Sequence, residues 1–214
     1  MEEVNLKPSR LAKRASYDSE QIYSILDEGL VCQVAYVENG KPMMIPTGYC
    51  RIEDKLYIHG SVGSHFMRSL ADGRDVCISV SLLDGLVLAR SAFHHSVNYR
   101  SVVIFGQAEL ITDEQEAWDA LEAFTEHVIK GRWAEVREPD AFEMKKTMVL
   151  AFSLEKASAK VRVGNPSDDE EDYELPVWAG VLPLKQVAQA PITDPLMRHQ
   201  TPVPDYVANY SREK

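Results

Sequence analysis

Cysteine is scarce: Cys32, Cys50 and Cys77 are the only three in 214 residues, odd in number, widely spaced and set in apolar runs. That spacing excludes a disulfide framework and a CxxC metal site, and it points to a reducing, cytoplasmic compartment. Positive charge is also short. The 23 lysines and arginines face 33 aspartates and glutamates, and a net charge of −10 argues against a broad nucleic-acid or anionic-membrane surface. No apolar run approaches the roughly 20 residues needed to cross a bilayer. Residues 1–14 are partly basic without an apolar centre, so no leader is expected either. The chain has no GxxxxGK[ST], no GxGxxG, no internal repeat and no low-complexity tract. Ser61 and Ser64 lack a nucleophile-elbow context, and no paired carboxylates stand outside one acidic loop. An enzyme of this composition would take its chemistry from a bound cofactor.

What remains is an ordinary globular composition, 45% hydrophobic and 26% charged, fitting one domain over residues 1–214 with an extended N-terminal arm and a C-terminal tail over residues 186–214. Asp18 is placed to cap a helix with Ile22, Ile25 and Leu26 on one face, and Gly29 ends it. From Leu30 the period falls to two. Asn39-Gly40 between apolar runs predicts a type I′ hairpin, and Pro46 puts the second strand at an edge or a bulge. Further strands are expected at Leu56 to Gly60, from Asp75 to Arg90, over Tyr99 to Ile111 with a sharp bend at Gly106, and as one long strand from Thr147 to Val163. Thr112 with Gln115 reads as a capping box for a helix whose Ala117, Leu121, Phe124 and Val128 face the core. The acidic run Asp168 to Asp172 reads as a solvated loop. Short turns between antiparallel strands, with few helices, predict an α+β chain built on a closed or partly open barrel.

The stretch that organises the chain is Leu56 to Leu70. His59, Gly60, Ser61, Val62, Gly63, Ser64 and His65 run from a strand into a helix carrying Arg68, a turn suited to an anion. The window Leu56 to Phe105 holds Arg68, Arg74, Arg90 and Arg100 against Asp72, Asp75 and Asp84, with His59, His65, His94 and His95 in the same window. Arg100 and Ser101 open a strand that can run beside this turn, and arginine binds phosphate bidentately. His94 and His95 are adjacent, so on a strand they face opposite sides and share a metal poorly, and no metal site is expected. Trp178 can stack on a flat ring or anchor the tail.

Taken together, Pro46-Thr47-Gly48-Tyr49, Leu56 to Gly60, Gly63-Ser64-His65, Tyr99 to Val103 with Gly106, and Trp178-Ala179-Gly180 resemble the pyridoxamine 5′-phosphate oxidase-related flavoproteins, most of all the nitroimidazole-resistance reductase branch. The resemblance spans about residues 15–185. It implies a six-stranded antiparallel split β-barrel of Greek-key form with flanking helices. It also implies a homodimer with FMN, or FAD, at the subunit interface. The phosphate would be held by residues 59–68, Arg100 and Ser101, with Met44, Ile45, Pro46 and Thr47 along the isoalloxazine ring. The implied activity is flavin-dependent reduction of a small molecule with a nicotinamide donor. The fold's relatives also suggest two rivals: a non-catalytic flavin carrier or redox sensor, and a haem-handling protein with His59, His65, His94 or His95 on the iron. Two departures stand out: His65 occupies a position where many relatives carry lysine, and the Arg-Leu-x-Pro ending of true pyridoxamine phosphate oxidases is absent. On this reading, Arg100→Ala should weaken flavin binding and leave the fold intact.

Overall fold

The computed structural model describes residues 14–212, and the expected arm lies almost wholly outside them. Strand β1 (Ala15–Ser16) leads into α1 (Ser19–Glu28). The Asp18 carboxylate accepts the Gln21 amide at the helix start, and Ile22, Ile25 and Leu26 are buried. β2 (Val31–Glu38) and β3 (Lys41–Gly48) form a hairpin whose turn residues Asn39 and Gly40 have φ of 50° and 73°, the left-handed pair that a type I′ turn requires. β4 (Cys50–Ile52), β5 (Lys55–Ser61), α2 (His65–Ala71), β6 (Asp75–Leu88), β7 (Ser96–Gln107) and β8 (Glu109–Leu110) follow. After them come α3 (Glu114–Val128), α4 (Ala141–Lys146), β9 (Thr147–Ser153), β10 (Ala157–Arg162), β11 (Gly180–Pro183) and α5 (Asp205–Ala208).

The strands form two antiparallel sheets. One runs β1-β10-β7-β6-β2-β3, with β11 added beside β6, and the other runs β4-β5-β9-β8. The chain is thus α+β on a split, unclosed barrel. Eleven strands rather than six are present among the described residues: four segments of two to four residues (β1, β4, β8 and β11) pair at the margins, and seven longer strands remain.

Alternation along β5 and β9 shows why the split occurs. Leu56, Ile58, Leu150 and Phe152 point into a core shared with α1 and with Val34, Ile78 and Ile104 of the larger sheet. Tyr57, Val149 and Ala151 point the other way, onto Cys50, Ile111 and Ala120 of α3. The smaller sheet is therefore buried on both faces, and α3 occupies the side that a closed barrel would leave to solvent.

Several expectations need correction. The span from Thr147 to Val163 is two strands: β9 pairs with β5 and β10 with β7, so the chain passes between sheets through Leu154–Lys156. The register irregularity of the β6–β7 ladder falls between Leu83 and Gly85, while pairing runs unshifted through Gly106. β3 is an edge strand in unbroken register across Gln33 and Pro46, so Pro46 needs no bulge. The α3 cap is Asp113, one residue after Thr112, and Val128 is exposed. The tail is tied back by Arg212, which donates to the carbonyls of Glu28 (2.7 Å), Asp27 (2.9 Å) and His127 (3.0 Å). These acceptors lie at the C-terminal ends of α1 and α3, where the helix dipole favours a cation. Among the described residues, no helix is long and apolar enough to cross a membrane.

Candidate functional site

The turn between β5 and α2 uses many of its own donors. Ser64 caps α2 by accepting the Met67 amide, the Ser61 hydroxyl accepts from Gly63, and Ser64 N–H donates to the Ser61 carbonyl. Gly60 allows close approach of the helix: a Cβ there would lie 2.9 Å from the Met67 side chain. The Arg68 guanidinium straps the turn through the carbonyls of Gly63 (2.9 Å) and Val62 (3.2 Å). Arg68 is exposed and has no carboxylate partner among the described residues, so it keeps its charge open to an anion.

The two imidazoles of this segment are placed differently. His59 is half-buried with its ring edge-on to Phe124 at 4.5 Å, and burial pulls its pKa down, so it brings no cation to a phosphate at neutral pH. His65 Nε2 lies 3.0 Å from both oxygens of Glu38, at the end of β2, and the Ser69 hydroxyl donates to the same carboxylate at 2.9 Å. The His65–Ser69 spacing of one helical turn is the sequence signal for this group, since residues four apart share a helix face.

The hydrogen bond from His65, then that from Ser69, holds the Glu38 carboxyl below its ordinary value, with Arg74 adding to the effect. A lowered carboxyl contributes stability at neutral pH that is lost as pH falls through its folded value. Glu38→Gln is therefore expected to flatten the acid limb of the stability profile, read as thermal midpoint from about pH 7 to about pH 3. An unchanged limb would show that this cluster is not coupled to folding.

Arg100 lies in the other sheet, on β7 opposite Leu82 of β6 and Val161 of β10. Its fork is taken by two carboxylates: Nε and Nη2 bind Asp84 at 2.9 and 2.7 Å, Nη2 reaches Glu28 at 2.8 Å, and Nη1 also binds Glu28. These hydrogen bonds, Glu28 first and then Asp84, push the guanidinium pKa up. Two carboxylates around one guanidinium leave a local negative charge, which opposes the expected phosphate role. The Ser101 hydroxyl is likewise turned to the Lys160 carbonyl at 3.3 Å.

β3 presents the expected ring-binding segment as an open edge. Met44 is 64% exposed, Pro46 is exposed, and Ile45 and Thr47 are half-buried. An edge strand carries a row of unpaired N–H and C=O groups. Pro42 and Pro46 have no N–H, so along this edge carbonyl acceptors outnumber donors toward a flat heterocycle. Buried Cys32 and Cys50, pushed up to about 12 by desolvation, supply no thiolate.

A second constellation was hidden in the sequence. Residues 89–95 connect β6 to β7, and one member of the supposedly solvated acidic loop is buried against them. Asp168 accepts from the amides of Arg90 (3.0 Å) and Ser91 (3.4 Å) and from the Arg90 guanidinium (3.1 Å). Burial opposes its ionisation, but the Arg90 donors outweigh that, and the carboxyl lies below its usual range. The His94, Asp168 and Asp172 ligand atoms come within 4.8 Å of one another, so the acidic loop brings carboxylates beside His94. Asp168 is already committed to Arg90 and Ser91. Phe93 and Trp178 are exposed, and the Trp178 ring also lies against Gly180, where a Cβ would meet it at 3.0 Å.

A split antiparallel barrel with an open edge strand and an exposed arginine beside a strand-to-helix turn is the frame on which the candidate site is built. The chain belongs to the pyridoxamine 5′-phosphate oxidase family, whose sequence model matches residues 18–161. It is similar to the flavocytochrome of Azotobacter vinelandii, with 40% identity, a TM-score of 0.87 and coverage of 94% of this chain and 93% of that one. It is also similar to the FAD and haem binding protein of Mycobacterium smegmatis, with 39% identity, a TM-score of 0.86 and coverage of 91% and 95%. A candidate 5-nitroimidazole antibiotic resistance protein from Bacteroides thetaiotaomicron shares the fold, with 24% identity, a TM-score of 0.58 and coverage of 69% and 86%. No curated protein matches the chain.

Proposed function

We propose that the protein is a flavin-binding redox protein that also holds a haem. The observation that carries this reading is its similarity, near 40% identity and over more than nine-tenths of each chain, to one flavocytochrome and one FAD and haem binding protein. Between FMN and FAD, the second relative favours FAD. When bound, the flavin supplies the redox chemistry and accepts electrons from a nicotinamide donor.

The chain's own groups fit these cofactors in part. The open edge of β3 from Met44 to Thr47 can read the flavin ring, and Arg68 can face its phosphate. Arg100 is assigned to the fold instead, because Glu28 and Asp84 hold it. A haem needs an imidazole beside exposed apolar surface, and the turn at Phe93 and His95 provides both. Exposed Met44 on β3, with Val31 and Val37 on neighbouring β2, supports the further reading that two copies meet over this edge and share the flavin.

The test is the colour of the purified protein. Two broad flavin bands and a sharp Soret band are expected, FAD should be released on denaturation, and NADH or NADPH should bleach the flavin. Sedimentation should give twice the 24.1 kDa chain mass. A colourless protein that takes up neither added FAD nor added FMN overturns the reading.

A further inference from the structure

We infer that His95, through Nε2, is the residue that binds the haem iron, an assignment that rests on the haem reading above. His95 Nδ1 lies 2.9 Å from the Ser91 carbonyl oxygen, which can only accept, so in the neutral ring Nδ1 carries the hydrogen and Nε2 keeps its lone pair. Metal-binding histidines almost always donate their other ring N–H in this way, which fixes both tautomer and ring orientation. His95 is exposed, so the free nitrogen is open to a ligand.

Its surroundings suit a flat apolar macrocycle. His95 has extended backbone, φ −59° and ψ 143°, and stands two residues before Val97. Residues two apart on an extended chain share a face. Val97 pairs with Leu86, and Leu86 pairs with Leu182, so three apolar side chains lie in a row across β7, β6 and β11 on the face that His95 shares. Leu182 is 51% exposed, Val97 38% and neighbouring Phe93 89%, which leaves apolar surface uncovered beside the imidazole.

The other five histidines are engaged or unsupported. His94 Nδ1 is 2.8 Å from the Ser91 hydroxyl, and its ring is hemmed in by Asp168, Asp169 and Asp172. His65 has Nε2 on Glu38, leaving the nitrogen next to Cβ, which the side chain itself shields from the face of a macrocycle. His59 is packed on Phe124. His127 Nε2 binds the Gly29 carbonyl at 2.6 Å. His199 lies in the coil of the tail, with no side-chain hydrogen bond to orient it among the described residues.

The experiment loads haem into the parent and into His95→Ala, His94→Ala and His65→Ala, each first shown to melt like the parent. Absorption bands, electron paramagnetic resonance and haem dissociation rates are then recorded. His95→Ala is expected to lose the histidine-ligated spectrum and to release haem faster, by at least the roughly 10- to 100-fold that even an outer partner of a metal ligand commonly costs. Added imidazole should restore the parent spectrum in that variant. His94→Ala and His65→Ala should keep the parent spectrum. A parent that binds haem, together with a His95→Ala protein of unchanged spectrum and release rate, overturns the assignment and leaves the haem reading standing. A parent that takes up no haem overturns both.

Discussion

Phe152→Ala is expected to lower the unfolding free energy by about 3–5 kcal/mol, the range for truncating a buried aromatic side chain. Phe152 is 1% exposed, stands opposite Leu56 on the smaller sheet, and packs in the cluster that joins this sheet to α1 and the larger one. Both walls of the void it would leave are held by strand pairing, so collapse around it is restricted and the cavity cost adds to the lost transfer energy. Phe152→Leu keeps most of the volume and should cost less than about 1.5 kcal/mol. Denaturant midpoints at constant slope measure both. A loss below about 1 kcal/mol for the alanine variant would show that the sheets are not joined through this residue.

Arg100→Met should destabilise the fold by about 2 kcal/mol, the lower part of the range for charged hydrogen bonds, because the three side chains keep 28–34% of their surface in solvent. The guanidinium joins α1 through Glu28 to the β6–β7 pair through Asp84, so its loss leaves two carboxylates facing each other. Adding Glu28→Gln and Asp84→Asn should recover part of the loss by removing that repulsion. This outcome differs from the one the family resemblance suggests, in which the variant loses flavin and keeps its stability. Thermal melting of the cofactor-free protein separates the two, since a pure ligand-binding role predicts an unchanged midpoint.

Local chemistry was readable wherever partners lie close in sequence. The Asp18 cap, the apolar face of α1, the Asn39-Gly40 turn and the start of α2 at His65 are all set within a few residues. Residues 147–163 misled because they alternate with no glycine or proline, and only the charged pair Glu155-Lys156 marks where the chain changes sheets. β11 was missed because a four-residue segment ending in Pro183 carries no period of its own and is defined by pairing with β6. The role of Arg100 could not be read locally: Glu28 lies 72 positions away on a helix, and Asp84 is one acidic residue among many. Asp168 was hidden for the same reason, since nothing in five successive acidic residues shows which one meets Arg90.

The passage from β9 to β10 carries a kinetic cost. β9 pairs with β5, as in Ser61 with Thr147, and β10 closes on β1, as in Ala15 with Lys160, so both sheets wait on strands made late in the chain. Closing loops of that length spends chain entropy before any contact repays it. A fold dominated by such pairings belongs with the slow folders, in milliseconds to seconds, and not with helical proteins that assemble in microseconds. During that interval the hairpin of β2 and β3 is among the local pairings that can form, and its open edge is exposed to neighbouring chains. Pro42 and Pro46 on that edge cannot donate to an intruding strand, and so they hinder aggregation while the two sheets are still apart.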